Sequence, residues 1–182
     1  MRIVALSGSL RKGSSNSGIL RAYAAVAPTG VEVAIFEAWA DLPPFNPDLD
    51  REGGVPPPAV AAFRALLAGA DAFVISSPEY AHGVPGAFKN ALDWIVSSGE
   101  FGGKPVALVN ASPGGEYVRR ALVDTLTVMG ANVLVEPSPP FGPTGQRVLD
   151  AAGEVSAPEV LGKLKASVTA LVTAAAARAS GE

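Results

Sequence analysis

Apolar positions fall into five short unbroken runs, rich in β-branched residues, separated by stretches in which apolar residues recur every three to four positions. The runs cover 2–7, 31–36, 71–76, 104–110 and 132–135. A strand with one wet face alternates apolar and polar residues, so an unbroken run predicts a strand covered on both sides. The intervening spacing predicts helices over 16–27, 57–69, 86–98, 116–129 and 157–179. Strands alternating with helices predict an α/β three-layer sandwich on a five-stranded parallel sheet, for which 2-1-3-4-5 is one of the two common strand orders and the one expected here.

Several helix ends are readable. Pro56 to Pro58 precede Val60, Phe63, Leu66 and Leu67, and Gly69 follows as a stop. Ser156 and Glu159 have capping-box spacing ahead of Val160, Leu161, Leu164, Val168, Leu171 and Val172, a stripe suited to covering the sheet. Two connections, 38–55 and 137–147, are rich in Pro and read as irregular lids or subunit contacts. Their aromatics Trp39, Phe45 and Phe141 are read equally well as exposed anchors or as packing under the loop.

Length and composition narrow the function classes. The 182 residues suit one domain, 1–182, large enough to bury a core without staples. With no Cys, a disulfide framework, a thiolate nucleophile and Cys-bound zinc or iron–sulfur centres are excluded. The chain enters a strand at once, without a signal-peptide pattern, so a cytoplasmic protein is expected. Uncharged stretches such as Ala166 to Ala177 fall short of the about 20 residues that span a bilayer, and no membrane partner is expected. Net charge is −3 and the cations are scattered apart from Arg11-Lys12 and Arg119-Arg120, which argues against nucleic acid.

The most informative stretch is SGSLRKGSSNS, Ser7 to Ser17, between the first strand and the first helix. Such a connection normally needs about 2–6 residues. Here it carries Ser9, Ser14, Ser15, Asn16, Arg11 and Lys12 next to a helix N-terminus, whose unpaired N–H groups and dipole favour an anion. Helix capping by Ser14 or Asn16 is the plainer reading, but capping alone does not require so many donors. The glycine spacing from Gly8 to Gly13 approaches a P-loop, yet Ser14 stands where the nucleotide-binding Lys belongs; G-x-G-x-x-G is absent as well. A terminal phosphomonoester suits the loop better than a pyrophosphate or triphosphate.

In an open parallel sheet the ligand crevice lies beyond the strand carboxyl ends where the order reverses, here between strands one and three. The loop after strand three, Ser76 to Gly86, should therefore neighbour the first loop. Pro78 and Pro85 stiffen it, and Gly83 and Gly86 allow close approach to the edge of a flat heterocycle. The fourth loop, Asn110 to Tyr117, adds Ser112, Gly114 and Gly115 on the same side. Phosphate in loop one and a planar ring against loops three and four describe a mononucleotide site.

These residues carry a family resemblance. GSLRKGSSN from Gly8 to Asn16, and PEYAHGVPGAFKNALDW from Pro78 to Trp94, resemble the paired signatures of the NADPH-dependent FMN reductase family, over roughly residues 1–175. The resemblance implies a flavodoxin-like fold, with Ser9, Arg11, Ser14, Asn16 and Ser17 on the FMN phosphate and Pro78, Glu79, Tyr80 and nearby backbone on the flavin. The candidate cofactor-binding set is thus Ser9, Arg11, Ser14, Ser15, Asn16, Ser17, Pro78, Glu79, Tyr80, Ala81, His82, Gly83, Ser112, Gly114 and Gly115. Family members commonly carry Asn after the PEY tripeptide and often Ser two places later; this chain has Ala81 and Gly83.

The activity implied is an FMN-dependent NAD(P)H oxidoreductase. Hydride would pass from NADPH or NADH to bound FMN and on to a quinone, free flavin or similar small-molecule acceptor in ping-pong order, by a homodimer or homotetramer. No protein catalytic residue and no metal are expected, because the two cofactors carry the chemistry. His82, the single histidine, is read as a flavin or substrate contact or as a solvent-facing loop residue. Lys89, Asn90, Asp93 and Trp94 are read as structural, and Glu79 as holding its loop through hydrogen bonds. A flavodoxin-like electron carrier without nicotinamide turnover is the second reading, disfavoured by few acidic clusters for docking. A regulatory domain that has lost flavin is the third.

Overall fold

The computed structural model describes residues 1–111, 115–134, 149–150 and 153–181. Its strands are β1 (Arg2–Ser7), β2 (Glu32–Phe36), β3 (Ala72–Ser76), β4 (Pro105–Leu108) and β5 (Asn132–Leu134). They form a parallel sheet of order β2-β1-β3-β4-β5, the expected flavodoxin-like order. The register sets Leu6 opposite Phe36 and Ser7 opposite Ser76, so the chain leaves β1 and β3 at the same height.

Alternate residues of each strand enter different cores. Ile3 and Ala5 pack with Ile19, Leu20 and Tyr23 of α1 (Ser15–Ala25) and with Leu164, Val168 and Leu171 of α5 (Pro158–Ser180). Val4 and Leu6 pack with α2 (Pro58–Ala68), α3 (Gly86–Asp93) and α4 (Glu116–Val128). This is why the strand runs are apolar on both parities. A fully buried Leu, Ile or Phe contributes about 1.5–3 kcal/mol, so burial rather than propensity holds helices as short as α3 in place. α5 has the length and mean hydropathy, 1.4, of a membrane span, but its Leu164, Val168 and Leu171 stripe is buried against the sheet.

Three expectations change. The third helix ends at Asp93 rather than 98: Trp94 is its C-cap, and the chain turns through Gly99 at φ +72°. Ser156 and Glu159 form no capping box, because the N-cap is Ala157 and Pro158 opens the helix without an N–H; Glu159 pairs instead with Lys163 at 2.8 Å. The 38–55 connection contains two single 3₁₀ turns, Trp39–Asp41 and Pro47–Leu49. The other long connection, 137–147 with Phe141, lies outside the described residues.

The aromatics of 38–55 are packing rather than exposed anchors. Trp39 is 1% exposed, edge-on to Phe36 and Phe63 at 4.7 and 5.6 Å, and donates its indole N–H to the Ser7 carbonyl. Phe45 lies edge-on to the buried Trp94, and both Asn90 Nδ2 and Trp94 Nε1 donate to the Pro43 carbonyl, at 3.0 and 2.8 Å. Arg64 clips the same segment to α3, meeting Asp50 at 2.7 Å and the Trp94 carbonyl. Burial alone would raise the Asp50 carboxyl, but the Ser97 hydroxyl and Arg64 outweigh it and hold the group below its ordinary value. The clip therefore contributes stability above the unfolded carboxylate range and loses it as pH falls through the folded value.

Candidate active site

Loops one and three meet at Gly8. Its N–H donates to the Ser76 carbonyl at 2.8 Å, and a Cβ there would lie 2.5 Å from Ser77 Oγ and 2.8 Å from Ser77 Cβ. Any larger residue would force the loops apart. Beneath them runs a buried hydroxyl and amide network: Ser7 Oγ and Ser17 Oγ are 3.0 Å apart, and Ser76 Oγ donates to Asn16 Oδ1 at 2.9 Å. Asn16 thus ties α1 to β3 with its side chain.

Beside this seam a pocket of about 240 Å³ opens in loop one, lined by Ser9, Arg11, Lys12, Ser17, Arg21 and Glu37 among others. Of the expected donors, Ser9, Arg11 and Ser17 reach it. Ser14 is the N-cap of α1, accepting the Asn16 N–H at 3.2 Å, and Ser15 is exposed at the first helical position; neither lines the pocket with Asn16. Arg21 and Glu37 are additions. Arg21 is one helical turn beyond Ser17, and Glu37 directly follows β2, the neighbour of β1.

Loop three is a tight hairpin. Tyr80 and Gly83 exchange backbone hydrogen bonds at 3.1 and 2.9 Å, and the two residues between them have positive φ, 49° for Ala81 and 59° for His82. Two consecutive left-handed residues match the primed turn that favours Asn-Gly. Asn is therefore the conformationally easier residue at position 81, and Ala81 carries strain. Ala81→Asn is expected to raise the unfolding free energy by about 0.5–1 kcal/mol, read as a higher denaturation midpoint.

Glu79 does hold its loop, and through a distant partner: its Oε2 accepts the Val118 N–H at 3.0 Å. That N–H is one of the orphan donors in the first turn of α4, so a loop-three carboxylate caps the helix that follows loop four. Gly115 is the α4 N-cap at φ +82°, a left-handed position that suits glycine. His82 stacks on Tyr117 at 3.9 Å and 12° between planes, a second link between the same elements. Pro78 is partly buried, whereas Tyr80 and Tyr117 are 58% and 55% exposed beside the crevice. Ser112 and Gly114 lie outside the described residues.

A larger cleft, about 860 Å³, runs along α4 from His82 and Tyr117 past Arg120 to Asp124. Lys89 and Asp93 pair at 2.6 Å on α3 and, like Asn90 and Trp94, serve structure. Among the described residues no group of three His, Asp or Glu is placed to hold a metal.

Two long motifs converge on one crevice, and wider comparison agrees. A model of the NADPH-dependent FMN reductase family matches residues 1–143. The chain belongs to that family. It is 34% identical over 175 residues to the quinone reductase of Escherichia coli K12, covering 93% of each chain. It is also 34% identical over 160 residues to an NAD(P)H-dependent FMN reductase of Pseudomonas aeruginosa, covering 85% of this chain and 84% of that one. The solved structure of FerB from Paracoccus denitrificans, a flavoenzyme NAD(P)H:(acceptor) oxidoreductase, superposes with a TM-score of 0.80 at 26% identity over 96% of both chains.

Membership makes the chain a flavoprotein oxidoreductase with FMN and NAD(P)H as its cofactors. The crevice fits that cofactor on its own terms. The small pocket combines the hydroxyls of Ser9 and Ser17, the guanidiniums of Arg11 and Arg21 and the Lys12 ammonium beside the first turn of α1, a donor set for a phosphomonoester. In the adjoining hairpin Glu79 is engaged with the Val118 N–H and His82 with Tyr117, and the exposed Tyr80 ring stands beside the backbone.

Proposed function

We propose that the chain is a single-domain NAD(P)H-dependent reductase of quinones or free flavins, working in ping-pong order. The observation that carries the reading is the seam at Gly8. It joins a phosphate-sized cationic pocket to a rigid backbone hairpin whose spacing from α4 is set by Glu79.

FMN, when bound, supplies hydride acceptance and electron transfer. The protein's own part is to bind and orient. Ser9, Arg11 and Ser17 take the phosphate through side chains, and Ser14, Ser15 and Asn16 contribute the N-terminal turn of α1. Pro78, Glu79, Tyr80, Ala81, His82 and Gly83 hold the ring edge from loop three, and Gly115 faces it from loop four. The Tyr80 and Tyr117 rings shape the mouth through which nicotinamide and acceptor alternate. No side chain needs to move a proton in this scheme.

Nicotinamide binding extends along α4, where Arg120 is exposed and makes no hydrogen bond or ion pair among the described residues. Arg120 reads the 2′-phosphate of NADPH. Arg120→Ala is expected to raise the KM for NADPH by about 5- to 10-fold and to leave that for NADH unchanged, the scale of a partly screened ion contact.

The test of the function is steady-state oxidation of NADPH and NADH by the FMN-loaded protein with a quinone acceptor. Turnover with parallel lines in double-reciprocal plots supports the reading. A yellow protein that oxidises neither nucleotide supports the electron-carrier reading instead.

A further inference from the structure

Among the described residues, Glu37 is the only carboxylate in the lining of the loop-one pocket, set among Arg11, Lys12 and Arg21. Its place is fixed by the sheet. It follows the last residue of β2, and Phe36 before it is paired with Leu6, stacked on Phe63 at 5.0 Å and edge-on to Trp39 at 4.7 Å. No hydrogen bond or ion pair joins Glu37 to the three cations among the described residues. A carboxylate engaged with those cations would be read as their organiser. An unengaged one on the wall of an anion pocket opposes the anion.

We propose that Glu37 is a specificity-determining residue that holds down the affinity for the flavin phosphate, so that FMN is exchangeable rather than permanently retained. The inference rests on the phosphate site proposed above. A compact pocket of about 240 Å³ is about 8 Å across, so an anion inside it lies within about one Debye length of Glu37 at physiological salt. At that distance, in a water-like dielectric, one pair of unit charges changes an equilibrium constant by about 2.4-fold. A phosphomonoester that is nearly dianionic, at about 1.8 negative charges, raises this to about fivefold. Riboflavin, which has the same ring and no phosphate, does not feel it.

Flavin-fluorescence titration of the flavin-stripped protein tests this, with FMN and riboflavin as ligands, for wild type, Glu37→Gln and Glu37→Lys. At about 10 mM ionic strength, Glu37→Gln should bind FMN about fivefold tighter and Glu37→Lys about 25-fold tighter, a graded series with charge. The gains should shrink at 0.5 M salt, and riboflavin affinity should stay the same throughout. A variant that binds FMN no tighter than wild type, or that shifts FMN and riboflavin together, overturns the role of Glu37 while leaving the phosphate site standing. Wild type that fails to prefer FMN over riboflavin overturns both. Because the readout is a ratio of two ligands on the same protein, lost folding in one variant cannot imitate the expected series in the other.

Discussion

Arg11→Ala is expected to weaken FMN binding by about 1.5–3 kcal/mol, roughly 10- to 150-fold in Kd, the range for a hydrogen bond to a charged group. Arg11 is exposed in the free protein and lines the loop-one pocket, so its removal leaves no buried partner stranded and should not disturb folding. Riboflavin binding should be unchanged. Arg11→Lys should recover only part of the loss, since an ammonium keeps the charge but not the planar fork that matches phosphate oxygens. Fluorescence titration of both flavins on the three proteins checks this, and equal losses for FMN and riboflavin would place Arg11 away from the phosphate.

Trp39→Ala should destabilise the fold by about 3–5 kcal/mol, the range for removing a large buried aromatic. Trp39 bridges Phe36, Phe63 and Phe88, and its indole N–H satisfies the Ser7 carbonyl at the end of β1. Trp39→Phe separates the two contributions. It keeps most of the apolar contact and leaves that carbonyl unpaired, for an expected cost of about 1–3 kcal/mol. Chemical denaturation of the two variants measures both. Because Ser7 opens loop one, the Phe variant should also bind FMN less tightly than wild type, while an unaltered affinity would show that the end of β1 is held without Trp39.

Strand runs were legible because burial on both faces leaves an unbroken apolar signature, whereas the βα alternation gave a parallel sheet and the order 2-1-3-4-5 came with the flavodoxin-like resemblance. Helix ends were less so. Trp94 keeps the apolar spacing of α3 going, but its carbonyl is taken by Arg64 from another helix, a long-range contact that ends the helix early. Trp39 and Phe45 carried no periodicity, so the sequence left packing and exposure equally open.

At the site, residue types pointed to the loops that meet at Gly8 more reliably than to the side chains that line the pocket between them and α1. Asn16 has the chemistry of a phosphate donor, yet its Oδ1 is held by the Ser76 hydroxyl of β3 and the residue does not line the loop-one pocket. Arg21 and Glu37 went unremarked although a signal existed: Arg21 repeats the face of Ser17 one turn on, and Glu37 directly follows β2, the strand next to β1. The partner of Glu79 had no such signal, since a backbone N–H at Val118 is invisible in residue identity.

The most direct measurement is a crystal structure of the protein with FMN bound. The account predicts the phosphate in the loop-one pocket within hydrogen-bond distance of Arg11, Ser9 and Ser17, and the ring edge against the backbone of Pro78 to Gly83. FMN lying along α4, with the loop-one pocket closed over its own side chains, would contradict it.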